Sequence, residues 1–188
     1  MKKHKLSNVF PLFGPTLKVA GLLGVILLST VCVHATDNRA PDLSATNLVN
    51  LVPPGGTNKV HFHAYAIGIQ IYHWSAALNS WGASTPSAVL LDSDGNVVGT
   101  HYAGPTWESN SGSSVRGVRI SSSTPDSTAI PWLLLQASPQ TDYGIFAPTT
   151  YIQRVNTVGG KAPSRAGVSD GEEFDSPYTA EYFFYRAQ

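Results

Sequence analysis

Beyond residue 58, apolar and polar positions alternate along much of the chain. In residues 59–66, Val60, Phe62 and Ala64 occupy one face and His61, His63 and Tyr65 the other. That period of two is the pattern of a half-buried strand. Gly68 interrupts it, and residues 69–74 resume it. A glycine inside a strand marks a bulge or a close approach of backbone. Residues 88–91 form a short apolar strand, and Asp92-Ser93-Asp94-Gly95-Asn96 is a turn. There Asp and Asn bond their own backbone and Gly takes positive φ without steric cost. Residues 97–102 return as the hairpin partner. Residues 114–120 alternate again, with Val115 opposite Arg116 and Val118. Residues 130–137 are a continuous apolar run whose Pro131 and flanking turn signals favour a strand over a helical turn. Residues 151–157 and 178–185 are the last two strands, and residues 47–52 offer one more short one ahead of the domain.

No segment after residue 35 sustains a 3.6-residue period long enough for a helix. Roughly seven to nine short strands at spacings of about 8–12 residues indicate an all-β fold. We read it as a single-domain antiparallel β-barrel or β-sandwich. A barrel has the advantage of leaving no exposed sheet edge.

The first residues follow another pattern. Lys2, Lys3, Lys5 and Lys18 give a basic start, an apolar run covers residues 19–33, and Val33-His34-Ala35 fits a small-x-small cleavage site. This is the layout of a secretory signal peptide. The run is shorter than the roughly 20 residues a membrane-spanning helix needs, though an uncleaved anchor is the alternative. Residues 1–35 are therefore read as a signal peptide, 36–58 as a polar tether and loop, and 59–188 as the β-domain of a secreted, periplasmic or cell-envelope protein.

Cleavage after Ala35 changes the composition. It removes Cys32, the one cysteine of the 188 residues, so the mature domain has no disulfide. It also removes four of twelve basic side chains and none of twelve acidic ones, leaving a net charge of −4 with histidine neutral. An acidic domain without a basic cluster argues against nucleic-acid binding, where affinity comes largely from neutralising phosphates. It argues equally against a membrane partner beyond the signal peptide.

Candidate chemistry is sparse. The Asp92 turn is not an EF-hand loop, because the twelfth position is Ala103 rather than Glu. No G-x-G-x-x-G joins a strand to a helix, which removes the dinucleotide fingerprint. No serine sits in a nucleophile-elbow context. His61 and His63, two apart on a strand, leave by the same face. With His101 they would make three imidazoles for copper or zinc. The simpler alternative leaves them as polar positions beside a core-facing Phe62, with no cofactor.

The stretch Gly99-Thr100-His101-Tyr102-Ala103-Gly104-Pro105-Thr106-Trp107-Glu108 gathers a His, a Tyr, a Trp and a Glu around one corner. Across it His101 and Glu108 could face each other as base and orienter, or as acid and base. The structural alternative has His101 bonding a backbone carbonyl, Glu108 pairing with Arg116 or Arg154, and Trp107 plugging a barrel end. Tyr102 and Trp107 lie beside turns and are candidates for stacking on a small or carbohydrate-like ligand. Arg154, beside Ile152 and Val155, reads most simply as solvent-facing; buried, it would need a carboxylate partner, with Glu108 the first candidate.

Several phrases resemble a known family. They are Gly68-Ile69-Gln70-Ile71-Tyr72, residues 97–108, Ala129-Ile130-Pro131-Trp132-Leu133-Leu134-Leu135, residues 151–163 and Pro177-Tyr178-Thr179-Ala180. In this order they resemble the DUF3455 family, secreted proteins of unknown function, from about residue 66 to residue 186. The resemblance implies one extracytoplasmic β-domain and carries over no catalytic residue. It also implies a cysteine just after the Gln-Ile-Tyr phrase and another after Gly-Gly-x-Ala-Pro. Here those places hold His73 or Trp74, and Gly167 or Val168. Packing around Trp74 would then replace a staple worth ~2–4 kcal/mol. Function is expected to be ligand binding or structural, in a pocket near His101, Tyr102 and Trp107 with Arg154 near by. The competitor is a copper- or zinc-dependent enzyme built on His61, His63 and His101.

Overall fold

The computed structural model of the chain describes residues 39–43 and 48–188. The signal segment expected over residues 1–35 lies outside them. Nine strands follow a single 3-10 turn at Val49–Leu51: β1 (Asn58–Ser75), β2 (Ser80–Trp81), β3 (Thr85–Leu91), β4 (Val97–Tyr102), β5 (Thr106–Ser109), β6 (Ser114–Ser123), β7 (Trp132–Pro139), β8 (Thr149–Gly159) and β9 (Glu173–Ala187). The sequence strand expected at residues 47–52 is this 3-10 turn instead.

All pairings are antiparallel. From β3 to β9 each strand pairs with the next, and β1 pairs with both β3 and β9. The sheet therefore closes into an eight-stranded up-and-down barrel, with β2 a short addition folded onto the end of β1. Of the two architectures the pattern allowed, the barrel forms. Eight strands leave an interior that side chains can just fill, or that can hold one small ligand.

Alternation along the strands decides what lies inside. Phe62, Ala64 and Ala66 of β1 meet Leu90, Trp107, Val115, Leu135, Ile152, Tyr178, Ala180, Tyr182 and Phe184 in the main core. Each fully buried large side chain contributes about 1.5–3 kcal/mol of hydrophobic stabilisation. Phe146, on the connection before β8, plugs one end, packing edge-on to Phe62 and tilted against Phe184. Alternation alone would place Val60 with Phe62. A bulge at His61 breaks the register, so Val60 pairs with Tyr185 and Phe62 with Phe184. Val60 thus lies on the outer face.

That outer face is covered where β7 to β9 pass. Val60, Val155, Phe183 and Tyr185 form a second cluster with Leu43, Trp132 and Tyr151 packed against it. Leu51 is fully buried, and its carbonyl accepts from Nε2 of the fully buried Gln153 at 2.7 Å. The Gln153 Oε1 in turn accepts from the Tyr185 hydroxyl at 2.9 Å. The end of the segment read as a tether is thus a packed strap on the barrel.

Gly68 does not bulge. It pairs with Ala88 on one side and Tyr178 on the other. A Cβ there would stand 2.2 Å from the Ser87 carbonyl oxygen, so close backbone approach is what requires glycine.

At the far end of β1, Trp74 packs edge-on to Trp81, and Arg165 lies over the Trp81 ring at 5.6 Å while its guanidinium pairs with Glu172 at 2.6 Å. Of the four positions where the resemblance implies cysteines, Trp74 and Gly167 are neighbours: a Cβ on Gly167 would lie 2.6 Å from the Trp74 Cβ. The indole occupies the space a disulfide would cross.

Candidate functional site

The barrel end opposite Phe146 is not filled by apolar side chains. A cavity of about 280 Å³ opens there between the entry to β3, at Ser84, Thr85 and Pro86, and the β4–β5 turn at Ala103, Gly104 and Pro105. Its walls include Gln70, His101, Trp107, Leu133, Arg154 and Tyr182.

His101 sits on β4 opposite Trp107 on β5. The two rings stack with centroids 4.2 Å apart and planes 9° from parallel. Tyr182 meets both rings edge-on. The His101 Nδ1 lies 2.8 Å from the Thr106 carbonyl oxygen, which can only accept, so Nδ1 carries the proton. Burial, opposed by that hydrogen bond and aided by Arg154, lowers the His101 pKa to about 3. The ring is neutral at physiological pH, and Nε2 keeps its lone pair.

Arg154 points into the barrel. Its outward neighbours Gln153 and Val155 lie under the strap and in the outer cluster. Its Nε and Nη2 donate to the Pro131 carbonyl at 3.1 and 2.8 Å. The solvent-facing reading is therefore corrected: β8 parity places Arg154 with Ile152, not with the outer positions. Nor is Glu108 its partner. Among the described residues no carboxylate pairs with Arg154, so a cation stands in the barrel against a neutral carbonyl.

Near it, among the described residues, Gln70 Nε2, Trp107 Nε1 and the hydroxyls of Tyr178 and Tyr182 are buried without a partner in good hydrogen-bond geometry; the two hydroxyls still lie close enough to each other, to Gln70 and to Arg154 to interact. Ser84 donates to Gln70 Oε1 at 2.6 Å, which fixes the amide with its donor end uncommitted. Burial raises the pKa of both tyrosines, and Arg154 opposes the rise in each. Both therefore remain protonated donors at neutral pH. Folded proteins rarely leave such groups poorly paired, because each costs about 1–3 kcal/mol; a cluster of them beside one cavity marks the site.

The other expected residues lie elsewhere. Tyr102 faces outward and donates to Glu108 at 2.6 Å across the β4–β5 hairpin. Glu108 is thus on the opposite side of the sheet from His101, and the two form no acid–base pair. Arg116 donates to the Gly104 carbonyl rather than to Glu108.

The three histidines do not converge. His61 sits in the β1 bulge beside Thr149, its pKa lowered to about 4 by burial and then by Arg186. His63 is on the outer face, stacked on Phe183 and 3.1 Å from Glu181. His101 is inside. Among the described residues no group of three histidine, cysteine or acidic side chains is placed to hold a metal ion. The bulge and the sheet wall between the faces separate them.

Gln70, Tyr178 and Tyr182 belong to the site, and the sequence reading had not placed them there. The signal was present: continuing the period of two from Ala64 and Ala66 puts Gln70 inside. Two further concavities lie outside the barrel, one of about 720 Å³ beside Lys59, His61 and Arg186, and one of about 450 Å³ between the strap and Gln153 and Tyr185. Neither carries unpartnered buried donors.

Fold and site together define a closed up-and-down β-barrel with an apolar plug at one end and a donor-rich cavity at the other. The family described as "protein of unknown function (DUF3455)" matches residues 54–186, and the chain belongs to that family. No curated protein and no solved structure matches it.

Proposed function

We propose that this protein is a small-molecule-binding module whose ligand enters the barrel between the β3 entry and the β4–β5 turn. One observation carries the reading: Gln70, Trp107 and Tyr182, each with a buried polar atom lacking an acceptor in good hydrogen-bond geometry, line a cavity that also holds Arg154, which pairs with no carboxylate among the described residues. A ligand bearing oxygen acceptors would complete these groups. The interior suits a small polar molecule. The Ser84 hydroxyl on the cavity wall is committed to Gln70 and no carboxylate orients His101, whose Nδ1 bonds the Thr106 carbonyl, which favours binding over catalysis. The basic start and apolar run of residues 1–35 support an extracytoplasmic location.

The test is a thermal-shift screen of the full chain against sugars, polyols, small acids and amines, repeated on Leu133→Trp, which fills the cavity from its wall. A ligand at about 100 times its Kd adds about 2.7 kcal/mol of stability. The expected result is a class of compounds that raises the melting temperature of the wild type and not of the filled variant. Shifts that persist in Leu133→Trp, or none across the screen, overturn the reading.

A further inference from the structure

Resting on that reading, we infer that the ligand is a small carboxylic acid carrying one negative charge, held with its carboxylate between Arg154 and the two tyrosines. The charge count comes first. The half-buried Arg154 guanidinium turns into the barrel beside Tyr182, its Nε and Nη2 donate to the carbonyl of Pro131, and no carboxylate pairs with it among the described residues. A charge withdrawn from water costs several kcal/mol unless it is paired. A single anion cancels it; a dianion such as a phosphate monoester would leave a second charge without a partner.

The donor count agrees. A carboxylate has two oxygens and about four lone-pair sites. Gln70 Nε2 and the Tyr182 hydroxyl are buried donors on the cavity wall with no acceptor in good hydrogen-bond geometry, the Tyr178 hydroxyl lies close to both, and the Arg154 guanidinium, beside Tyr182, turns Nε and Nη2 to Pro131. Three of these groups are fixed by something else: Gln70 by Ser84, Arg154 by Pro131, and Tyr182 by packing edge-on to His101 and Trp107. Hydrogen bonds to a charged group are roughly twice as strong as those between neutral groups, and a preset donor cluster is what an oxyanion needs.

The remaining two groups constrain the rest of the ligand. The Trp107 Nε1–H is one more donor. The His101 Nε2, unprotonated because burial keeps the ring neutral, is the acceptor of the set. A ligand with a hydroxyl or N–H near its carboxylate would use both. The size of the cavity, about 280 Å³, is roughly nine times the share of one water in the liquid. This points to small hydroxy acids or aromatic acids rather than to oligosaccharides.

Isothermal titration of the full chain with lactate and mandelate, each against its amide, tests the inference. The amides keep the shape and the hydroxyl but lose the charge. At least one acid is expected to bind at least tenfold more tightly than its amide. Arg154→Met should abolish the difference. Because changing a half-buried arginine risks the fold, Tyr182→Phe is the second variant: it keeps the ring packing and removes one donor of the wall, so the melting temperature should stay close to that of the wild type while the acid weakens about tenfold. Equal binding of acid and amide, or acid binding unchanged in both variants, overturns the carboxylate assignment while leaving a neutral ligand in the cavity. Silence with all four probes overturns the assignment too, and the broader screen with Leu133→Trp then decides separately whether the cavity binds anything.

Discussion

His101 lies flat on Trp107, 4.2 Å between centroids, and this stacked pair forms one wall of the cavity while its hydrogen bond to Thr106 staples the β4–β5 turn that frames the mouth. The same imidazole is therefore packing, turn anchor and sole ring acceptor of the site. It gets there through hairpin register: residues 101 and 107 pair directly, and both face inward.

Burial of His101 makes stability depend on pH. The unfolded chain takes up this proton as pH falls through 6.5, whereas the folded chain holds it off until about 3. Because the folded value lies below the unfolded one, the contribution is fully present above 6.5 and is lost as pH falls through that window, by at most about 1.4 kcal/mol per pH unit. Urea unfolding at pH 6.5 and 4.5 should show the wild type losing about 2–3 kcal/mol more than His101→Gln, which shares every other titrating group. Parallel losses in the two proteins would contradict a neutral, buried His101.

The strap should matter to the barrel. Leu51 is completely buried, and its carbonyl satisfies Gln153, which is equally buried. Leu51→Ala is expected to cost about 2–5 kcal/mol, read from chemical denaturation. A cost near zero would mean that residues 48–53 detach from the barrel in solution.

Gly167 is held to glycine by the neighbouring indole. A Cβ there would meet Trp74 Cγ at 2.3 Å, so Gly167→Ala should destabilise by about 1–3 kcal/mol through overpacking. Adding Trp74→Phe, which frees space, should recover part of that cost. Additive losses in the double variant would show that the two residues do not meet.

Tyr102 and Glu108 bond each other on the outer surface. Tyr102→Phe and Glu108→Gln should each change stability by about 1 kcal/mol or less and leave ligand-induced melting shifts intact. A lost shift in either would move the site to the outside of the hairpin.

The fold was legible because alternation is a local signal. Val115 against Arg116 and Val118, the Asp92–Asn96 turn and the last aromatic strand all follow from a period of two and from turn chemistry. Closure into a barrel was not legible, since it depends on β1 meeting β9 across more than a hundred residues. Two readings failed for different reasons. Val60 changed faces because one extra residue, His61, entered the ladder, and a bulge leaves little trace in composition. Arg154 was read as outward because an arginine between apolar neighbours usually is, yet the parity of β8 places it beside Ile152 in the barrel. The site was half legible: His101, Trp107 and Arg154 were candidates, but the sequence could not show that Tyr102 and Glu108 lie across the sheet from them, or that Gln70 and Tyr178 arrive from the two strands that close the ring.

That closure also sets an order of events in time. β1 carries the longest ladder of the barrel, from Asn58 beside Ala187 to His73 beside Glu173, so the first strand to leave the ribosome waits for the last. Contacts this distant in sequence slow folding, and a nascent chain holding β1 to β8 keeps two unsatisfied edges until β9 is made. Joining the adjacent ends near Thr57 and Gln188, whose backbones already share a hydrogen bond at 2.9 Å, and cutting in the loop after Ser123 would make the slowest pairing a local hairpin. Such a permutant should reach the same barrel faster.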